Sequence, residues 1–347
     1  MMMMLTKRQL LILEAIIRDY TSAGQPIGSK TLQNQLPVHV SSATIRNEMA
    51  TLEKLGYLIK EHSSSGRYPS LKGYRFYVDH LVKPEKINKE DIQGIRASFG
   101  SEFQKVDEIV ATSARVLSEI TNYTAISLKP DSKEVRLEGF RMVPFGEQQV
   151  MVILVTSDGS VESQIFSLPE GITGEVLEPV IRIINDQVVG YPLSQIADRL
   201  QESIVLLTKY LRQPEGFLDV FGRALDKSLQ SQFYVGGKMN LLNFIDSDNV
   251  DQVKALYSLV DHSQDISALL GDVGPNDITV KFGNELQNQP GNYSLISAHY
   301  NIENHGQGII ALLGPTNMPY SKLIGLLGVF RQELTQRLID YYRNLDS

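Results

Sequence analysis

Residues 41–57 read Ser-Ser-Ala-Thr-Ile-Arg-Asn-Glu-Met-Ala-Thr-Leu-Glu-Lys-Leu-Gly-Tyr. Ser41 or Ser42 can cap the start of a helix, because a side-chain oxygen there accepts from an otherwise orphaned backbone N–H. Gly56 can end it, because glycine takes the left-handed conformation that closes a helix at no steric cost. Between these signals Ile45, Met49 and Leu52 share one face, at the spacing of a helix packed on a core. Ala43, Asn47, Ala50 and Lys54 lie opposite, with Thr44, Arg46 and Thr51 on the flanks. That second face is small and polar, which suits a helix lying close to base edges in a major groove.

Toward the N-terminus, residues 6–22 place Leu10, Leu13, Ile17 and Tyr20 at helical spacing, and Gly24 to Pro26 end the pattern. Ser29 can cap a short second helix carrying Leu32 and Leu36, which Pro37 stops. On the other side Tyr57 to Lys60 reads as a strand, Ser63 to Gly66 as a turn, and Arg67-Tyr68-Pro69 as the returning strand. Ser70 then caps a further helix with Leu71, Tyr74, Tyr77, Val78 and Leu81 available for packing, and residues 83–86 read as a linker. Three short helices followed by a glycine-turned hairpin predict a winged helix-turn-helix DNA-binding domain over residues 1–83.

The chemistry of its outer face assigns candidate contacts to double-stranded DNA. Asn47 can bond an adenine edge, and Arg46 can reach guanine or a phosphate. Ser41, Ser42 and the helix N-terminus offer donors to a phosphate. The methyl groups of Thr44 and Thr51 allow close approach, and Lys54 and Lys60 add cations. At the wing, Ser65 and Arg67 suit the minor groove or the backbone. Other roles stay open: such a fold also serves protein contacts, Lys54 can be a solvated helix-end charge, and Arg46 can pair with Glu53 or with the acidic body.

Charge supports the DNA reading. The chain of 347 residues has a net charge of −7, yet residues 1–83 hold eleven Lys and Arg against six Asp and Glu, a net +5 that leaves −12 on the other 264. A basic end on an acidic body is expected where one module meets phosphates and the rest does not. At 42% hydrophobic and 21% charged residues, the composition is that of a folded protein, and the length fits two or three domains. No apolar run reaches the ~20 residues a bilayer crossing needs. Lys7 and Arg8 inside an amphipathic pattern argue against a secretory signal. The absence of cysteine excludes disulfides, thiolate nucleophiles and Cys-based zinc sites, and is compatible with a cytoplasmic setting.

Beyond a helix around 90–120, strands are expected at 123–129, 135–143, 149–156 and 161–168, with Asp158-Gly159 as a hairpin turn. Residues 173–230 and 250–270 read as mostly helical. Strands return at 277–282, 293–300 and 307–313, and a helix at 320–342 follows. The order suggests an α+β protein in which one sheet domain, 90–170 with 275–347, is interrupted by a helical insertion at 171–274. Two sequential domains are the alternative. Along 196–211, Ile196, Leu200, Ile204, Leu207 and Leu211 recur as a packing face requires, either between subunits or within the chain.

Several strings together give a resemblance: Leu5-Thr6-Lys7-Arg8-Gln9, Pro26-Ile27-Gly28-Ser29-Lys30, residues 41–57, and Ser65-Gly66-Arg67-Tyr68-Pro69. Downstream are Val235-Gly236-Gly237 with Asn240-Leu241-Leu242, and Leu313-Gly314-Pro315-Thr316 with Met318 and Tyr320. The chain resembles, end to end, the HrcA family of heat-inducible transcription repressors. It departs at Asn317 and Pro319, where such proteins more often carry a basic and an acidic residue. The resemblance implies a winged helix, a GAF-like domain and a dimerising domain inserted into it. It also implies a homodimer on a long inverted repeat upstream of chaperone operons, inactivation by heat, and return to activity assisted by a GroE-type chaperonin.

No cofactor and no catalytic or metal site is expected. His299 and His305 stand six apart with Glu303 between them, more in keeping with a solvated turn than a metal site. Gly236-Gly237-Lys238 lacks the flanking residues of a phosphate loop, so the glycines are read as a bend or a close backbone approach. The alternative function is a regulator whose GAF-like domain senses a metabolite. Convergent polar groups in a pocket would favour it, and an apolar filling would favour the heat-responsive repressor.

Overall fold

The computed structural model describes residues 5–60, 66–100, 105–131, 135–145, 149–157, 159–168, 174–211, 218, 233–244, 260, 270, 278–286, 292–303 and 305–345. It opens with three helices, α1 (Lys7–Ala23), α2 (Ser29–Gln35) and α3 (Ser42–Lys54). Thr6 and Gln9 form a reciprocal capping box at the start of α1, and Gly24 ends it at φ 66°. Ser41 caps α3, its Oγ accepting from the Thr44 N–H at 3.1 Å. Gly28 rather than Ser29 is the N-cap of α2. The Ser29 hydroxyl instead meets that of Ser42 at 3.3 Å and joins the first turns of α2 and α3.

Ile12, Ile16, Leu32, Ile45, Met49 and Leu52 are buried together and hold the three helices. Strands β1 (Leu58–Ile59) and β2 (Tyr68–Pro69) pair antiparallel. Arg67 extends the pairing to Ile27. A Cβ at Gly66 would lie 2.5 Å from the Ile27 carbonyl oxygen, so only glycine fits where the hairpin crosses that segment. Helix α4 (Leu71–His80) then turns its Tyr74 and Tyr77 into the core.

After α5 (Lys89–Ser98) and α6 (Val106–Thr121) come β3 (Thr124–Asp131), β4 (Leu137–Pro144), β5 (Gln149–Thr156) and β6 (Val161–Ser167). Next are α7 (Gly174–Val188), α8 (Leu193–Leu207), β7 (Phe233–Gly236), β8 (Ile278–Phe282), β9 (Tyr293–Ile302), β10 (Gly306–Pro315) and α9 (Tyr320–Leu345). The larger sheet is antiparallel in the order β7-β3-β10-β9-β8. Ile296, Ala298, Tyr300, Ile310 and Leu312 share a core with α6 and α9, while Leu295, Ile309, Ala311 and Leu313 face the other way.

The sheets divide differently from the expectation. Strands β4, β5 and β6 form their own three-stranded meander and pack on α7 and α8, whereas β7 joins the larger sheet. They part between β3 and β4, not at 171. Two-residue periodicity shows that a strand has a buried face, but it does not name the strand's neighbour. Of that helix face, Ile196, Leu200, Leu207 and Leu211 lie in this unit's own core, while Ile204 is half-buried outside it, so four of the five pack within the chain. The single helix expected around 90–120 is two, separated after Phe99 where Gly100 adopts φ 69°. Apart from Val260 and Leu270, the helix expected over 250–270 lies outside the described residues, as does most of 212–232.

The glycine pair reads as expected. A Cβ at Gly236 would sit 2.3 Å from the Ala114 carbonyl oxygen of α6, and Gly237 holds φ 65°. Asn240 Nδ2 donates to the Tyr123 carbonyl at 3.1 Å and closes the bend.

Candidate nucleic-acid interface

Helix α3 presents the surface that the sequence singles out. Ile45, Met49 and Leu52 are buried, while Ser41, Ala43, Arg46, Asn47, Thr51 and Lys54 are exposed and Ser42, Thr44 and Ala50 half-buried. Thr51 Oγ1 donates to the Asn47 carbonyl at 3.1 Å and keeps its methyl on the surface of the helix. Among the described residues the side chains of Arg46, Asn47 and Lys54 take part in no hydrogen bond or ion pair.

The two carboxylates of α3 are held by neighbouring elements. Glu48 is bound by Arg8 at 2.7 Å and by Gln9 Nε2 at 3.0 Å, both from α1. Glu53 Oε2 accepts from Arg67 Nε at 3.1 Å and Nη2 at 3.0 Å, from the edge of the hairpin. With both acids satisfied, the outward charge of the helix is that of Arg46 and Lys54, the sign a phosphate surface favours.

Arg67, expected as the free cation of the wing, is the Glu53 partner, and its side chain is only 12% exposed. It fixes the hairpin to α3. Lys60, half-buried, follows β1, and Ser65 lies outside the described residues with the rest of 61–65. The clamp from α1 onto Glu48 was illegible in the sequence, since its partners stand about forty positions apart. Lys30 was missed as a candidate. It is exposed in the first turn of α2, which the Ser29–Ser42 contact brings to the start of α3.

The segment read as a linker is packed. Glu85 N donates to the Ser321 carbonyl at 2.9 Å, Ser321 Oγ donates to the Lys83 carbonyl at 2.5 Å, and a Cβ on Gly325 would meet the Glu85 carbonyl oxygen. The cores of the N-terminal helices and of the α6/α9 side of the sheet form one continuous cluster.

The opposite side of the sheet is filled: Leu241, Val260, Leu270 and Leu286 cover Ile126, Leu295, Ile309, Ala311 and Leu313. A groove of about 470 Å3 opens between α5 and α9, but the charged groups along it, Glu90, Asp91 and Lys322, are all exposed and its floor is apolar. His299 is buried on β9 opposite Ile309 rather than solvated in a turn, while the His305 ring stacks on Tyr342 at 3.7 Å. The described residues contain no cluster of three potential metal ligands and no helix long and apolar enough to cross a membrane.

A compact group of helices that offers one polar, cationic helix face and is seated on an α+β body has the plan of a transcription regulator. Residues 107–324 match the family model described as the HrcA protein C-terminal domain. The heat-inducible transcription repressor HrcA of Ligilactobacillus salivarius is 61% identical across 99% of this chain and 100% of that protein. Its counterpart in Pediococcus pentosaceus is 50% identical, again over 99% of this chain and 100% of its own. A solved structure described as a hypothetical protein superposes with a TM-score of 0.60 at 22% identity, covering 97% of this chain and 98% of that one, a likeness of fold. The chain belongs to the HrcA family.

Proposed function

We propose that this chain is a heat-inducible transcription repressor, not an enzyme, acting in the cytoplasm. Residues 1–83 serve as a winged helix-turn-helix, the five-stranded sheet with α5, α6 and α9 as a GAF-like domain, and the unit from β4 to α8 as a dimerising insertion. The observation that carries this reading is the exposed face of α3, where Arg46, Asn47 and Lys54 have no partner among the described residues and the helix's two acids are bound by neighbouring elements. Asn47 and Arg46 read base edges, and Ser41, Ser42 and Lys54 position the helix on phosphates. Thr44 and Thr51 line the close approach, and Lys60 and Ser65 serve the hairpin side.

One such head reads one half-site, so an inverted repeat calls for a two-fold dimer. The outer face of the three-stranded sheet supports that assignment. Met151 lies between Val143 and Ile165, and Val155 pairs with Val161, so the apolar side chains are contiguous across the strands. Val143, Val161 and Ile165 are 47%, 50% and 44% exposed, and a patch of that kind marks an interaction surface. Heat releases the operator by loosening the fold, and a GroE-type chaperonin restores it. The apolar filling of the sheet favours this over metabolite sensing. Binding to duplexes from upstream of the host's chaperone operons tests the reading. A dimer should bind one carrying an inverted repeat at least about a thousandfold more tightly than unrelated DNA, and equal binding to both would refute it.

A further inference from the structure

The heads of a dimeric DNA-binding protein must be held at the separation of the half-sites, and something in the fold has to set that separation. In this chain the candidates lie where α4 meets the β8 edge of the sheet. Arg75, midway along α4, spends its guanidinium there. Nε donates to Glu285 Oε1 at 3.0 Å and Nη2 to the Val280 carbonyl at 2.9 Å. Nη2 also meets Glu285 Oε2, and Nη1 donates to Asp79 Oδ1 at 3.3 Å. The guanidinium carbon stands 4.6 Å from the centre of the Phe282 ring.

Glu285 is fixed in turn, because its Oε2 also accepts from the Phe282 N–H at 2.9 Å. Beneath the pair, Tyr74, Phe282 and Tyr320 pack ring to ring, with centroids between 5.9 and 6.3 Å apart. An exposed ion pair contributes little by itself. A planar fork engaged on two oxygens, a backbone carbonyl and a ring face has a single orientation, which lysine cannot reproduce.

We infer that Arg75, with Glu285, is a positioning residue for operator recognition: it locks the DNA-binding head to the sheet domain and thereby fixes the half-site spacing that a dimer accepts. The inference rests on the dimer reading above. A locked head loses little freedom on binding a correctly spaced repeat and cannot reach a wrongly spaced one. An unlocked head binds one half-site as before but brings the second at lower effective concentration and over a wider range of spacings.

The experiment uses the full-length protein and an inverted repeat selected by the wild type from random duplexes. Affinities are measured for that repeat, for versions with the half-sites moved apart by two to five base pairs, and for one half-site alone. Arg75→Lys and Glu285→Gln are compared with wild type, Glu285→Gln keeping an oxygen for the Phe282 N–H. Half-site affinity should stay within about twofold, while affinity for the repeat should fall by about tenfold or more and the penalty for altered spacing should shrink. An unchanged spacing penalty, or an equal loss on half-site and repeat, would overturn the inference while leaving the dimer reading intact. A wild type that binds the repeat no better than the half-site would refute both.

Discussion

At the scale of single residues, the face of α3 was legible because it is local. A cap, a terminator and thirteen positions at helical spacing sort buried from exposed without knowledge of anything distant. Asn47→Ala should therefore lower discrimination between operator and single-base variants by about 1–3 kcal/mol, with little change in binding to unrelated DNA. Competition binding against a panel of variants measures this, and undiminished selectivity would remove Asn47 from the reading face. Arg67 was misread because its partner Glu53 is fourteen residues away on α3. A cation beside a turn looks the same in sequence whether or not a carboxylate folds against it. Arg67→Ala should destabilise the head by about 1 kcal/mol. It should leave the salt dependence of DNA binding unchanged. A slope reduced by about one would instead place Arg67 on a phosphate.

At the scale of elements, nearly every described strand and helix was anticipated, but the assembly of the strands was not. β4, β5 and β6 follow one another closely in the chain and pair as one meander, whereas β3 pairs with β10 and β7, far along the chain. Alternation along 149–156 cannot distinguish these cases. The meander also has two faces. Phe140, Val152 and Leu154 are buried against α7 and α8, while the opposite face keeps apolar side chains in solvent. Were that face the dimer interface, a charge there would split the dimer and leave the subunit folded. Val161→Asp with Ile165→Asp should yield a monomer by sedimentation, with a thermal midpoint within a few degrees of wild type and operator affinity reduced to that of one half-site. A double variant that remains dimeric would move the interface elsewhere.

At the scale of the whole molecule, the supposed linker proved to be a seam, and the head shares its core with one side of the sheet. Burial pushes the phenols of Tyr74 and Tyr320 well above their usual range, so both stay neutral. Tyr320 uses its hydroxyl, donating to the Thr316 carbonyl at 2.6 Å and meeting Ser294 at 2.9 Å. The Tyr74 hydroxyl, also buried, meets no hydrogen-bond partner among the described residues. An unsatisfied polar group of this kind costs about 1–3 kcal/mol, so the seam is weaker than its packing suggests. Tyr74→Phe removes the unpaired group at nearly constant volume. It should raise the midpoint of heat inactivation by roughly 2–4 °C per kcal/mol regained, and a midpoint that is unchanged or lower would show the hydroxyl to be satisfied in solution.

Stabilities of about 5–15 kcal/mol leave a protein open to a modest temperature rise, and a domain that opens exposes apolar surface suited to capture by a chaperonin. The most direct test of the account is operator affinity of the wild-type protein measured as a function of temperature, with no small molecule added, alongside a tertiary-structure probe. Affinity should collapse over the heat-shock range together with the tertiary signal, and should recover on cooling more fully when the GroE-type chaperonin and ATP are present. Affinity that holds steady through that range, or that falls only when a metabolite is supplied, would contradict it.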